Sequence, residues 1–540
     1  MRGDWFKKKD TRHPFLARLC LLMLLLYLLP LSPAFSRSTH LADGGNPYHY
    51  TLEQLQAALP QPILDKHPQW ITMYWGAWQI LTKHILAGTP ENGFVSYYMD
   101  PAFNGDIFLW DTVFMSMFAR YGRDLFPVTA SFDNFYRKQD ADGFIARQFK
   151  GTSGLPYQGK NDPNSINPPI LSWGEWEYYQ LSGDSSRLKT VLPRLIKFYT
   201  WVKTHRTNSD GLYWNTGVGS GMDNSPEHTV CDTCFEPGLD WIDMSAQQTL
   251  NALSISRIAQ AVGNTQLASQ FQQEYAHLKN LINQRMWSKQ DGMYYPIKDG
   301  QQRPVKTIGS FWPLLAQLAD TNQVSRLIKE HLLNPNEFYR EHPFASLAAT
   351  DPHYNAATGN YWNGGVWAPT NYMVERGLKL YGEEDAAYQA ALQDIDNVYR
   401  VYQHTGTLWE NYAPDSASQG IPARPNFVGW SGNFAISELL EDVIGLRVDA
   451  PTHTLNWRLN LTERNGITNL RFGQNVVSLV AEQRQNASDT PHLTVQALQP
   501  FTLNLSLPGG RHSRRPSPQE NGAGFRIQRS LKGANPYLVP

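Results

Sequence analysis

The 540-residue chain has little net charge. Its 47 Lys and Arg residues almost balance its 48 Asp and Glu residues, which leaves a formal charge of -1. A chain without a net field does not attract nucleic acid or an anionic membrane over long distances, so we expect neither as a partner. This composition favours a neutral molecule as the partner.

Cysteine is scarce, with three residues in the whole chain. Cys231 and Cys234 stand together in CDTCFEPG, whereas Cys20 lies far from them. The sequence has no second CxxC pair and no paired-histidine motif to complete a zinc site, so we expect a local disulfide between Cys231 and Cys234. A redox role for this pair lacks the βαβ context that such motifs usually have.

Long apolar runs are also missing. The N-terminal run Leu19–Leu29 has 11 residues, whereas a membrane-spanning helix needs about 20. Basic residues precede this run, and Pro30 and Ala34-Phe35-Ser36 follow it, which is the pattern of an export signal that ends near residue 36. We therefore expect a periplasmic or extracellular protein without stable membrane association after cleavage. An uncleaved signal anchor is the alternative.

Aromatic residues, in contrast, are abundant, with 17 Trp and 26 Tyr. Indole and phenol rings combine an apolar face with a polar edge, and sugar rings present the same combination. A large helical core also uses Trp as filler, so this composition only favours a carbohydrate partner.

Periodicity predicts a mainly helical chain. From about Tyr50 to Val448, apolar residues recur at i, i+3, i+4 and i+7 in segments such as WITMYWGAWQILTKHILAG and AAYQAALQDIDNVYRVYQHTG. Polar loops rich in Gly, Pro, Asn and Asp separate these segments at 151–169, 208–240 and 350–365. Because loops of this length in a compact domain are usually functional, we expect the site there.

The pattern changes near Asp449, where short alternating runs such as ITNLRF and FTLNLSL predict strands and a small C-terminal β-sandwich. The last residues are polar and rich in Pro and Gly, which is typical of disorder. The predicted segments are a signal peptide at 1–36, an N-terminal segment at 37–70, a helical domain at 71–448, a β domain at 449–508 and a disordered tail at 509–540.

Three acidic residues have aromatic or apolar neighbours: Asp111 in FLWDTVF, Asp223 in SGMDNSP and Glu410 in GTLWENYAP. Apolar surroundings raise the pKa of a carboxylic acid, so that it can donate a proton near neutral pH. A second, ionised carboxylate can then deprotonate water, and inverting glycosidases place the two about 6.5 to 9.5 Å apart. Each residue also has a purely structural interpretation: a helix cap, a turn residue and a salt-bridge partner, respectively.

Six motifs, between Thr72 and Gly445, carry a resemblance to a known group of enzymes. In chain order they are FLWDTVF, NPPILSWGEWEYYQLSGD, GSGMDNSP, NYWNGGVWAPTNY, LWENYAPDSA and FVGWSGNFAISEL. With these motifs the chain resembles the clan of inverting α-glycosidases that contains glycoside hydrolase family 63 and the mannosylglycerate hydrolase-like enzymes, with trehalases as more distant relatives. The resemblance implies a mainly α fold, an (α/α)6 barrel whose long loops gather at one mouth, and catalysis without a cofactor or metal.

The resemblance also implies residue roles. Asp223 falls on the general acid of the family, Glu410 on the general base and Asp111 on an Asp that holds sugar hydroxyls. Gly221, without a Cβ, would let the backbone approach the sugar ring. The other implied substrate-binding residues are Phe108, Trp110, Asn167, Tyr361, Trp362, Asn363, Trp367 and Trp430.

Two positions depart from the pattern of the relatives. Asn363 stands where they have Arg, and Gly365 stands where they have Pro. A cationic contact that would suit an acidic aglycone is therefore missing, and the loop with Cys231 and Cys234 follows the proposed acid closely. We expect an exported inverting α-glycosidase acting on α-linked glucosides or mannosides.

Alternatives to this expectation are a trehalase-like disaccharide hydrolase and, in other classes, a polysaccharide lyase or a non-catalytic glycan-binding protein on the same scaffold.

The sequence DADGF, from Asp140, resembles a fragment of a calcium loop but lacks the later Glu, so a surface turn is favoured. The sugar, the linkage and the oligomeric state do not follow from the sequence.

Overall fold

A computed structural model describes residues 47–95, 97–101, 103–508, 526–527 and 537–539. The predicted signal peptide and most of the predicted tail lie outside these residues. Helices dominate the described part, as the sequence predicts. None of the helices in these ranges combines the length and the apolar character needed to cross a bilayer.

Most helices are longer than two turns, and they occur in pairs along the chain. The α-helices are Leu52–Ala58, Pro68–Thr82, Leu109–Ala119, Val128–Arg137, Leu171–Ser182, Ser185–His205, Gly217–Ser220, Ile242–Ala261, Thr265–Arg285, Trp312–Leu315, Thr321–Arg326, Ala368–Leu380 and Glu384–Thr405. Wider π-helical turns form Leu327–Leu332, Asn433–Ser437 and Leu439–Val443. Each helical pattern predicted from periodicity overlaps one of these helices.

Local chemistry explains why paired helices turn back on each other. The helix Leu171–Ser182 ends at Gly183, whose φ of 69° is one that glycine adopts without strain. The side chain of Asp184 then accepts hydrogen bonds from the N–H groups of Ser186 and Arg187 and so begins the helix Ser185–His205. A helix stop and a helix start in adjacent residues give a tight helical hairpin.

The long polar loops precede the N-termini of a group of helices, and the predicted site residues lie at these N-termini. Asp111 is in the first turn of Leu109–Ala119, and Trp367 is the N-cap residue of Ala368–Leu380. Asn167 precedes Leu171–Ser182 by four residues, and Trp430 precedes Asn433–Ser437 by three. These helix starts therefore carry side chains from distant parts of the sequence toward a common region.

Strands concentrate after the last helix and form two larger sheets. A five-stranded sheet has the order Gln61–Leu64, Asn465–Phe472, Asn475–Ala481, Leu493–Ala497 and Tyr537–Val539. A four-stranded sheet has the order Leu446–Asp449, Thr454–Arg458, Thr502–Ser506 and Arg526–Ile527. Two-residue and three-residue strands elsewhere are Ile85–Ala87, Tyr97–Met99, Ile107–Phe108, Gln148–Phe149, Leu239–Asp240, Trp287–Ser288, Met293–Tyr294, Ile297–Lys298 and Gln301–Gln302.

The β region begins earlier than the alternating pattern indicates, and it includes a strand from the N-terminal segment. Its first strand is Leu446–Asp449, three residues before the predicted boundary. The strand Gln61–Leu64 pairs antiparallel with Asn465–Phe472, with Leu64 opposite Asn465. A four-residue strand with one Pro has too few residues for a periodic signal, so the sequence did not reveal this pairing. The division of the chain into domains stays a prediction.

Buried side chains from Leu55 to Leu503 form one continuous hydrophobic core. The helical and β parts share it: Trp457 is fully buried, and its Nε1 donates to the carbonyl of Ile444 at 2.9 Å. Early and late helices also pack closely. A Cβ at Gly76 would lie 2.1 Å from Oη of Tyr402, so any larger residue would displace the end of the Tyr402 side chain where Pro68–Thr82 meets Glu384–Thr405.

Candidate active site

Asp223 lies in the loop that follows the short helix Gly217–Ser220. This helix ends at Gly221, whose φ of 81° favours glycine. A Cβ on Gly221 would meet the ring of Trp110 at 3.5 Å, an ordinary contact distance, so the backbone conformation rather than lack of space is what requires glycine. The turn at Gly221 directs the chain past Trp110 and places Asp223 in the site.

The surroundings of Asp223 favour its protonated form. The residue is half-buried, and burial raises its pKa to about 7. The charge of Arg147 opposes this shift, whereas the carboxylates of Asp232 and Glu410 add to it. A carboxyl group with this pKa is protonated in about half of the molecules at pH 7 and can give up its proton in a reaction.

Glu410 is 3% exposed and is held from two sides. The hydroxyl of Tyr361 donates to Oε1 at 3.0 Å, and Nε of Arg424 lies 3.8 Å from Oε2. Burial raises the pKa of Glu410, but Arg424 and the hydrogen bond from Tyr361 both favour the ionised form. Nε1 of Trp430 donates to the carbonyl of Glu410 at 2.7 Å and fixes the backbone.

Asp111 is buried in the first turn of Leu109–Ala119, a helix that no side chain caps. Burial raises the pKa of Asp111 to about 8, with a smaller contribution from the charge of Glu410. Arg147 lowers it. The charge of Glu410 raises the pKa of both Asp111 and Asp223. The structure therefore brings all three predicted carboxyl groups into one site.

The predicted aromatic residues form a packed cluster beside Glu410. The rings of Trp362 and Trp367 stack with centroids 4.0 Å apart, and both are fully buried. Tyr361 contacts Trp367 edge to face at 4.8 Å, and Trp430 does so at 5.7 Å. Tyr361 is the half-buried member of this cluster, so the two stacked indoles support it from behind. Phe108 packs edge to face on Phe103, with centroids 5.4 Å apart.

Two of the predicted sugar-binding side chains each carry a buried polar atom with no hydrogen-bond partner in the described part of the chain. They are Oδ1 of Asn167 and Nε1 of Trp110. Nδ2 of Asn167 donates to the carbonyl of Gly219 at 3.4 Å, which orients the amide. Unsatisfied buried atoms of this kind are what the hydroxyl groups of a bound sugar can pair with. Asn363 is fixed through its backbone, where its carbonyl accepts from the N–H of Asn355 at 2.8 Å.

Sequence reasoning missed two cations in the site. Arg147 donates to the carbonyl of Val218 at 3.2 Å, and its charge acts on both Asp111 and Asp223. Arg424 lies 3.5 Å from the ring centroid of Phe103 and pairs with Glu410. Neither residue stands in the aromatic run, where the family resemblance predicts the missing Arg. Arg147 stands in a largely apolar segment, GFIARQF, which is the one signal that could have revealed it.

Asn224, next to Asp223, was also missed, and it connects two loops. Its Oδ1 accepts from the N–H of Trp362 at 2.8 Å, and its Nδ2 donates to the carbonyl of Asn360 at 2.9 Å. Between these two contacts lies Tyr361, whose φ of 65° is unusual for a residue with a side chain. One amide thereby holds a strained turn and ties the loop of Asp223 to the loop that supports Glu410.

The loop of the two cysteines lies beside that of Asp223, since the carbonyl of Asp232 accepts from the N–H of Val218 at 2.9 Å. Cys231 and Cys234 form a disulfide with Cα atoms 5.0 Å apart. Asp140 and Asp142 pair with Lys160, as in a surface turn. Among the described residues, one group has oxygens close enough to share a metal ion, within 4.8 Å of one another: Glu375, Asp394 and Glu438. Burial raises the pKa of Glu375 and Glu438 well above the usual range.

The profile of the mannosylglycerate hydrolase MGH1-like glycoside hydrolase domain matches residues 106–433, more than half of the chain. The chain belongs to this family. It is therefore a glycoside hydrolase, of the inverting kind that the motifs indicate. An uncharacterised protein of Borreliella burgdorferi is 26% identical over 418 residues, which cover 74% of this chain and 86% of that protein. The periplasmic trehalase of Salmonella newport is 24% identical over 230 residues, 40% of this chain and 37% of the trehalase.

Solved structures show the same type of fold. The GH63 mannosylglycerate hydrolase from Thermus thermophilus in complex with glucose has a TM-score of 0.55 at 17% identity, covering 67% of this chain and 99% of that one. Neutral trehalase Nth1 from Saccharomyces cerevisiae has a TM-score of 0.51 at 14% identity, covering 65% of this chain and 76% of that one. At these identities the similarity shows the fold and no more.

Proposed function

We propose that this glycosidase cleaves α-linked glucosides or mannosides of low molecular weight, with Asp223 as general acid and Glu410 as general base. The observation that supports this most is the contrast between the two residues. Burial raises the pKa of Asp223 to about 7, whereas at Glu410 a cation and a phenol offset part of the rise that burial causes. Such a pair protonates the glycosidic oxygen from one side and activates water on the other.

Asp111 and the aromatic cluster are proposed to bind the sugar that is cleaved. Asp111, Trp110 and Asn167 would bond to hydroxyl groups, and Tyr361 would combine a wall of the subsite with the support of Glu410. Arg147 and Arg424 supply positive charge that the aromatic run lacks, which keeps an acidic aglycone, such as the glycerate of the Thermus enzyme's substrate, among the candidates. Trehalose is the neutral alternative, favoured by the trehalases among the relatives.

Substitution of the two carboxylates tests the assignment. Asp223→Asn and Glu410→Gln should each lower kcat by roughly 10³-fold or more, because each removes a proton-transfer group. Asp111→Asn, which keeps a hydrogen-bonding side chain of the same shape, should raise KM and lower kcat less. Activity would be measured on trehalose, mannosylglycerate and a panel of α-glucosides and α-mannosides, with the thermal unfolding midpoint as the control for folding. Substantial turnover by either catalytic variant would reject the assignment.

We also propose an (α/α)6 arrangement of the helices with the C-terminal sheets as a sandwich. Four helical segments begin at or near predicted site residues, and they alternate in sequence with others: for example, Leu109–Ala119 is followed by Val128–Arg137, and Ala368–Leu380 by Glu384–Thr405. The similarity in fold to the mannosylglycerate hydrolase and trehalase supports this arrangement.

Export is a further part of the proposal. The N-terminal sequence pattern, the Cys231–Cys234 disulfide and the periplasmic trehalases among the relatives support it. N-terminal sequencing of the mature protein should show a start near residue 37, and an intact Met1 would contradict cleavage.

A further inference from the structure

A cavity lies at the other end of the helices that carry the site residues. Asp111 and Arg120 stand nine residues apart, at the start and just past the end of Leu109–Ala119, which corresponds to about 14 Å along a helix. The cavity is open to solvent at its mouth. It is lined by Arg120, Glu177, Arg257, Arg376, Glu441 and Arg447, together with Trp173 and Trp176.

Two of the four arginines are neutralised within the wall. Arg120 lies 2.9 Å from Glu177 and 2.8 Å from Glu441. Arg376 lies 2.7 Å from Glu177 and 3.5 Å from Glu441. The four side chains form a closed ion-pair network, in which both arginines hold the pKa of Glu177 far below its usual range despite burial. The charges of these two arginines and two glutamates balance one another, so no ligand is needed to neutralise them.

Arg257 and Arg447 differ, because their guanidinium groups make no hydrogen bond or close ion pair within the described residues. Arg257 is half-buried on Ile242–Ala261, and Arg447 lies on the strand Leu446–Asp449 with its side chain exposed. The neighbouring charge of Arg376, and then burial, lowers the pKa of Arg447, while burial lowers that of Arg257. The wall therefore carries two positive charges more than its glutamates balance, and both of the arginines without a hydrogen bond line the same cavity.

We propose that this cavity binds a doubly charged oxyanion, a phosphate or sulfate group, between Arg257 and Arg447. Guanidinium groups offer paired N–H donors that match the oxygens of such a group, and two of them balance its charge. Trp173 and Trp176 add apolar wall on which an organic part of the ligand can rest. The site is separate from the proposed catalytic residues, so its occupant is a ligand other than the neutral sugar being cleaved.

Isothermal titration with inorganic phosphate tests the proposal, with sulfate in a second arm and chloride keeping the ionic strength constant. The wild-type protein should show saturable binding at one site for at least one of the two anions. Arg257→Gln and Arg447→Gln should each weaken this binding roughly tenfold or more, because each removes a charged donor pair. Arg137→Gln, at an exposed position on Val128–Arg137, is the matched control and should bind as the wild type does.

Folding of the variants is monitored by their thermal unfolding midpoints in chloride, and hydrolysis should be unchanged because neither arginine belongs to the proposed catalytic site. Arg257→Lys keeps the charge without the paired donors and should show an intermediate loss. Absence of saturable binding of either anion to the wild-type protein would overturn the proposal. Equal affinity in the wild type, Arg257→Gln and Arg447→Gln would overturn it as well.

Discussion

The protonation states of Asp223 and Glu410 determine the pH range in which the proposed reaction can proceed. Asp223 must carry a proton, and its pKa of about 7 means that kcat should fall as the pH rises above about 7. Glu410 must be ionised, and since burial raises its pKa, kcat should also fall on the acid side. A pH profile of kcat should therefore be bell-shaped. A rate that keeps rising well above pH 8 would contradict the role of Asp223.

Tyr361 should set the acid side of that profile. Its hydroxyl stabilises the ionised form of Glu410. Tyr361→Phe removes this hydrogen bond, so the pKa of Glu410 should rise and the acid limb should move to higher pH, while the alkaline limb stays. Tyr399→Phe, on Glu384–Thr405, serves as the control for loss of a phenol. An unmoved acid limb in Tyr361→Phe would show that the hydrogen bond has no such effect.

The residues of the site were predictable where they stand in a motif, but the side chains that contact them were not. Asp111, Asp223, Glu410 and Tyr361 stand in quoted motifs, and the structure brings them together. Arg147 and Arg424 come from other loops, and their charges count only because folding places them beside carboxylates. A single sequence contains no signal for a contact between residues that are far apart along the chain.

Loops at the ends of helices hold the site together, and Asn224 is the connection between two of them. Asn224→Ala removes both hydrogen bonds to the loop of Tyr361, so Asp223 and Glu410 should lose their alignment. We expect kcat to fall roughly 10- to 100-fold with a smaller change in KM. The free energy of unfolding should fall by about 1–2 kcal/mol.

Asn224→Asp provides the graded comparison, because it keeps the acceptor for the N–H of Trp362 and loses the donor to Asn360. Its kcat should lie between those of the wild type and Asn224→Ala. If Asn224→Ala lowers stability and leaves kcat unchanged, the residue has a structural role alone.

A buried pair of acids on neighbouring helices makes stability depend on pH. Burial raises the pKa of Glu375, on Ala368–Leu380, and of Glu438, before Leu439–Val443, well above the usual range. In the unfolded chain these groups ionise near pH ~4.3. Their favourable contribution is therefore present below that pH and is lost as the pH rises toward the folded-state pKa.

Glu438→Gln should remove part of this loss. The free energy of unfolding of the variant should exceed that of the wild type by about 1–3 kcal/mol at pH 8 and by less at pH 5. The reason is that the amide of Gln stays neutral at every pH, whereas the buried acid is increasingly driven to ionise as the pH rises. Urea unfolding at both pH values measures this, with the exposed Glu53→Gln as control. An equal difference at the two pH values would contradict the explanation.

Helices and strands were predictable from the sequence in proportion to their length. The long helices have several turns of apolar period and defined caps, such as Asp184 and Asn264, and their positions agree with the sequence prediction. The strand Gln61–Leu64 and the wide turns near Asn433 have no such signal. The cavity at Arg257 was also not predictable, since it forms where the ends of several helices meet a strand.

The two ends of the described chain belong to one structure at the scale of the whole molecule. The strand Gln61–Leu64 joins the sheet that follows the last helix, and Trp457 bonds to Ile444 across the boundary between helices and strands. Because the core is shared, the protein should unfold in a single transition. Calorimetry and tryptophan fluorescence should give the same midpoint, and two separate transitions would show that the β region is an independent domain.

The close contact between Gly76 and Tyr402 bears on how the protein is made. The first long helix finds its neighbour only after some 326 further residues have left the ribosome, which takes roughly 15 to 65 s at usual rates of synthesis. During that interval the side of Pro68–Thr82 that packs on Glu384–Thr405 has no neighbour. A nascent chain of this kind suits a chaperone that keeps it unfolded until translation ends.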